Sequence, residues 1–321
     1  MAHELAFLGG SANIAYSAGQ TPWHGLGKAL LPTDPLQIWA KESGTDFSVE
    51  PLPLVYFADD DSERQASKVV LTHSASHHEL GIVSSEYNIF QPADVWQLIS
   101  KFCEDYNFLP STAGVLFNGS KIWALCKSQD SGFSVGHDRQ ELYALVSTSF
   151  DGSSATQVGF TGVRVVCNNT LSLAYRQMLQ SIRVSHRTIV DHGRIFADLG
   201  LVKDTFEAYE QDIEKLALKR ISNSDAMVFI LDVLSGTHDT EKLSTRALNI
   251  GKDVFNLFNG AGMGSDLSTA KGTLWGAVNA VTQYIDHNSA RNQENRLNSA
   301  WLGKGNETKT NAMNLALSMA A

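Results

Sequence analysis

The chain is short of cysteine, of positive charge and of uninterrupted apolar sequence. Its three cysteines, Cys103, Cys126 and Cys167, are an odd number without CxxC spacing. That argues against a disulfide framework or a zinc ribbon and for reduced thiols in a cytoplasmic protein. No stretch reaches the ~18 consecutive apolar residues of a membrane span, so no transmembrane helix is expected. The N-terminus lacks a positive segment followed by a long apolar core, so no secretory signal is expected. Lysine and arginine number 25 against 34 acids, a net charge of −9. This argues against nucleic-acid binding by the whole surface and leaves room only for a local basic groove. Signatures of the common enzyme classes are also missing. The glycine-rich "NGAGMGSD" (259–266) has no P-loop lysine, and no nucleophile elbow, kinase set or Rossmann fingerprint appears. The expectation is therefore a protein without cofactor and, on balance, without enzymatic activity.

What is present fits a soluble globular chain: 43% apolar and 18% charged over 321 residues, enough for one large domain or two ordinary ones. Residues 1–35 read as an irregular arm around "TPWHGLG", with Trp23 as an anchor. A short helix is expected from Pro35 through Lys41. Residues 49–57 and 68–73 read as strands joined by the acidic tip "DDDSER", and 80–92 as strand and turn. Pro92 opens a helix bearing Val95, Leu98, Ile99 and Phe102. Asn118-Gly119 between two apolar runs is a strong hairpin signal. Strands over 141–150 and 155–166 follow, then a helix over 171–182 capped by Asn168, Asn169 or Thr170. Beyond residue 193, Ile195, Leu199, Val202, Phe206, Tyr209, Ile213 and Leu216 form one narrow seam, suited to a helix or subunit contact. Helices near 224–235, 242–258 and 268–287 and a polar, weakly helical tail complete the chain. The fold class is α+β: an arm (1–35), a domain with an antiparallel sheet and covering helices (36–193), and a helical part (194–321).

Between residues 164 and 194 lie five arginines, Arg164, Arg176, Arg183, Arg187 and Arg194, opposed by one acid, Asp191. Guanidinium forks grip phosphate bidentately, so this run is a candidate nucleic-acid groove, with Lys121 on the hairpin extending it. Solvated or ion-paired arginines on an ordinary surface are the competing explanation. Cys167 reads as a small buried hydrophobe rather than a nucleophile served by His186 or His192. His73, His77 and His78 carry an i, i+4 pair, and Glu79 or Glu86 could complete a metal site. The flanking strand pattern disfavours the helix that such a pair needs, so no metal is assigned. Asp59, Asp60 and Asp61 read as a hydrated turn. Phe117, Trp123, Tyr143, Phe150 and Phe160 lie on the strands, where an outward ring would stack on a base.

"TPWHGLG", "GVRVVCNNTL", "GTLWGAVNAVTQYIDH" and "NSAWLGKGNETKTNA" together resemble the phage/plasmid-like protein family defined by a domain of unknown function, over nearly the full chain. The resemblance implies residence in phages, prophages and plasmids in a bacterial host. The arrangement of antiparallel strands, then a helix, with arginines at the junction is similar to ring-forming single-strand annealing proteins, at the level of fold alone. Taken together, the expected function is single-stranded DNA binding that assists annealing or recombination as a homo-oligomer. Two rivals are an interaction protein countering a host defence system, and a metal-dependent nuclease using Asp or Glu with His73, His77 or His78.

Overall fold

Alternating apolar and polar residues turn most of the N-terminal half into strands. The computed structural model describes residues 7–8, 11–18, 27–164, 169–172, 182–184, 202–289 and 292–321. The strands are β1 (Phe7–Leu8), β2 (Ser11–Ala12), β3 (Ile14–Ser17), β4 (Lys28–Leu30), β5 (Val49–Phe57), β6 (Glu63–His73), β7 (Glu79–Ser84), β8 (Phe108–Leu116), β9 (Lys121–Val135), β10 (Asp138–Ser149), β11 (Thr156–Arg164), β12 (Asn169–Ser172) and β13 (Ile182–Val184). Helix α1 (Leu36–Glu42) precedes β5, and α2 (Pro92–Tyr106) separates β7 from β8. The main sheet has the order β12-β11-β10-β9-β8-β3-β4, with β13 sharing the β11 edge; only β3 and β4 pair in parallel. A separate sheet has the order β5-β6-β7.

The hairpin chemistry works as local physics requires. Asn118 and Gly119 both take positive φ, 55° and 93°, and Leu116 pairs with Lys121 across the turn. Pro92 stands in the first turn of α2, and Asp94 closes a capping box with Gln91. This helix buries Val95, Leu98, Ile99 and Phe102. Period-two alternation then divides the main sheet. Ile122, Ala124, Cys126, Leu142, Ala144 and Val146 join the large core on one face. Trp123, Leu125 and Tyr143 form a smaller cluster on the other, with Leu297.

One expectation is overturned beside β11. The helix over 171–182 does not form at either end: Asn169–Ser172 pairs with Thr161–Arg164, and Ile182–Val184 pairs with Thr156–Val158. Residues 173–181 lie outside the described residues, as does Asn168. Asn169 and Thr170 sit in a strand rather than at a cap, because the edge of β11 presents unpaired backbone groups that a ladder satisfies.

The C-terminal part is helical: α3 (Val202–Leu218), α4 (Asn223–Ser235), α5 (Thr245–Asn256), α6 (Leu274–Gln283), α7 (Gln293–Leu302) and α8 (Lys304–Ala320). Among the described residues no helix is long and apolar enough to cross a membrane. Of the predicted seam, Ile195 and Leu199 lie outside the described residues, and the later part packs inside the chain. Phe206, Tyr209, Ile213 and Leu216 are buried, and the Phe133 ring lies 5.0 Å from Phe206 and 5.6 Å from Tyr209. Gly162 on β11 makes this approach possible, since a Cβ there would lie 2.6 Å from Tyr209 Cε1. The polar tail is core as well: α8 buries Ala312, Met313 and Ala316. One cluster of buried apolar side chains therefore runs from the first sheet strand to the last helix.

Candidate functional site

Of the candidate residues, Arg164 meets a buried carboxylate. Asp138, fully buried at the start of β10, lies in register close to the end of β11, where Gln140 faces Arg164. Arg164 is 2% exposed and donates from Nε to both Asp138 oxygens, at 2.7 and 2.9 Å. Trp275 Nε1 donates to Asp138 Oδ2 at 2.9 Å, and Thr269 Oγ1 reaches the same oxygen at 3.3 Å. The other two guanidinium nitrogens donate to the carbonyls of Met263 and Gly264, at 3.1 and 3.0 Å. The glycine-rich "NGAGMGSD" is thus a loop held to the sheet by an arginine, not a nucleotide cradle. A charge so deeply buried needs a partner and full hydrogen bonding, and Arg164 has both. Its expected role on phosphate is corrected: the guanidinium points into the protein.

A second buried pair ties the last two motifs. Lys309 of α8 is 1% exposed, and its Nζ lies 2.8 Å from Asp286 Oδ1. Burial pulls the lysine below its ordinary pKa, and the Asp286 charge opposes that shift. Helix α7 also clamps the β8–β9 hairpin. Phe117 N–H donates to Glu294, and Lys121 Nζ donates to Asn298 Oδ1 at 2.9 Å. Lys121 is buried and sits 5.6 Å above the Phe117 ring, so it too is structural rather than an exposed contact for phosphate.

Beside this clamp, a small pocket opens between the smaller-cluster face of the sheet and the α7–α8 junction. Leu125, Leu145 and Gly159 supply the sheet wall; Ala300 and Trp301 supply the helix wall. Trp301 is half-buried and meets Trp123 edge-on at 4.8 Å. Gln157, Thr161, Asn306 and Lys309 supply the polar part. The carboxamides of Gln157 and Asn306 have no hydrogen-bond partner among the described residues. Apolar walls with a few convergent hydrogen-bonding groups suit a flat apolar body with a polar edge.

Of the remaining expected contacts, Arg183 lies on β13 directly across from Gln157. Arg176, Arg187 and Arg194 lie outside the described residues, as do Cys167, His186 and His192. The histidine group builds a turn. His73 stacks on Phe47 at 4.0 Å, and its Nδ1 accepts from the N–H groups of Ala75 and Ser76. His78 Nε2 lies 2.7 Å from the Asn118 carbonyl. Burial pushes the His73 pKa down. Among the described residues, no three His, Cys, Asp or Glu side chains gather as a metal site. Sequence reasoning missed Asp138, Trp275, Gln157 and Lys309. The immediate neighbours of Asp138 and Lys309 are charged or polar, so no local signal set these two apart.

A family model described as Domain of unknown function (DUF932) matches residues 79–301. The chain belongs to this family. No curated protein and no solved structure matches it. The matched segment contains Asp138, Arg164, Trp275 and Asp286, so the buried carboxylate and the loop held by Arg164 lie within it; Lys309 and all of β5 and β6 lie outside it.

Proposed function

We propose that this DUF932 protein binds single-stranded DNA without catalysing a reaction, and that it assists annealing or recombination as a homo-oligomer in a phage or plasmid setting. The observation carrying this reading is the register of β13 on β11. It sets Arg183, within the arginine-rich segment, across from Gln157 of the pocket. An edge strand bearing one arginine, Arg183, beside a pocket with an indole wall and two carboxamides combines the two things that single strands respond to, charge and stacking surface. With Arg164 and Lys121 held internally, the cationic part of the reading rests on Arg176, Arg183, Arg187 and Arg194.

The test is a titration of a labelled single-stranded oligonucleotide by fluorescence anisotropy across a salt series. Binding at low salt that weakens steadily as salt rises supports the proposal. Absence of binding at low salt ends it. The alternative, an interaction protein acting on a host defence protein, would have to use another surface than Phe206, Tyr209, Ile213 and Leu216, which are buried in the chain's own core.

A further inference from the structure

The outer face of the β5-β6-β7 sheet exposes apolar side chains. The inner face sends Val49, Leu71 and Val83 into the core. On the outer face, Leu52 pairs with Val70 and Val70 with Ile82, so these three side chains form one row across all three strands. Leu52 is 49% and Ile82 44% exposed, and the hairpin beyond them exposes Val55, Tyr56 and Phe57. Five of the large apolar side chains exposed among the described residues therefore belong to this one small sheet. Clustering of this kind marks an interaction surface rather than ordinary surface scatter.

The charges around the row indicate what covers it. Glu50 shares the outer face at one end, where its backbone pairs with Thr72; Lys68 stands at the other end, paired with Ser84. Both are exposed. A two-fold axis across the strands turns a second sheet end for end. It then sets the apolar row on its own image and brings each Glu50 toward the partner's Lys68 end. Such self-complementarity is what an isologous contact requires, and sheets pack face to face at about 10 Å. A polyanion does not fit this face, since Asp59, Asp60, Asp61 and Glu63 crowd the adjoining tip.

We propose that the outer face of the β5-β6-β7 sheet is a two-fold interface with a second copy of this chain. The inference rests on the self-association in the proposed function and assigns it a surface.

Sedimentation of the full chain without nucleic acid, over a concentration series, tests it. A dimer is expected. Leu52→Glu with Ile82→Glu weakens the dimer by at least about tenfold, with the circular dichroism spectrum unchanged. Glu50→Lys also weakens it, and Glu50→Lys with Lys68→Glu restores it. A wild type monomeric at every concentration overturns the proposal, as does any assembly whose mass is indifferent to the Leu52/Ile82 variant. A monomer that still binds oligonucleotide sinks this interface alone. A dimer that binds none sinks the DNA-binding reading and leaves the interface standing.

Discussion

Removing the Asp138 carboxylate tests whether the buried Arg164 pair organises the junction between sheet and helices. Asp138→Ala leaves a guanidinium that is 2% exposed without its counter-charge, and takes the acceptor from Trp275 Nε1 and Thr269 Oγ1. Breaking a buried pair from one side costs about 3–5 kcal/mol, because the surviving charge stays desolvated. Two of the three guanidinium nitrogens keep carbonyl acceptors at Met263 and Gly264, which places the cost toward the lower end of that range. Removing both charges, as Asp138→Leu with Arg164→Met, costs less than the two single changes summed, since no orphan charge remains. Urea unfolding followed by circular dichroism reads each value. Asp138→Ala within about 1 kcal/mol of wild type, the size of one ordinary hydrogen bond, would refute the reasoning.

Gly162→Ala drives a methyl into Tyr209 and is expected to cost about 1–3 kcal/mol in the same assay, with part recovered by Tyr209→Leu. His73 has a depressed pKa in the folded chain, so protons bind preferentially to the unfolded state. Its contribution to stability is complete above the ordinary histidine value and declines as pH falls through it toward the lower folded value. Unfolding midpoints measured from neutral to mildly acidic pH should fall, and more steeply in wild type than in His73→Gln. Burial raises the Cys103 thiol to about 11 and pushes Cys126 well above its ordinary value, so both resist alkylation at neutral pH until the chain unfolds. Peptide mass spectrometry after a timed pulse of iodoacetamide checks this.

The legible parts of the fold were those governed by neighbours in sequence. Asn118-Gly119 turns the hairpin because both residues tolerate positive φ, and Pro92 starts α2 because the first turn needs no N–H there. Misreading began where a residue serves a distant partner. Arg164 looks like a free cation among its neighbours, but its carboxylate lies 26 residues earlier and its carbonyl acceptors about a hundred residues later. Asn169 and Thr170 cap helices well, yet a strand edge was open beside them and took them into a ladder. The tail containing "KTNAMNLAL" read as polar and weakly helical. Lys309 is nevertheless buried there, because Asp286 of the preceding motif meets it. The pocket was illegible for the same reason, being assembled from β9, β10, β11, α7 and α8. The alternation of Trp123 and Leu125 against Ile122 and Ala124 did mark a second sheet face, but not what lies on it.

Single-strand binding on that face is tested most directly at Trp301, the half-buried indole of the pocket wall. Trp301→Leu keeps apolar packing against Trp123 while removing a surface on which a base stacks. Oligonucleotide affinity measured by anisotropy at constant low salt should drop by about 1–3 kcal/mol, with the fold intact by circular dichroism. Wild-type affinity in Trp301→Leu would contradict it.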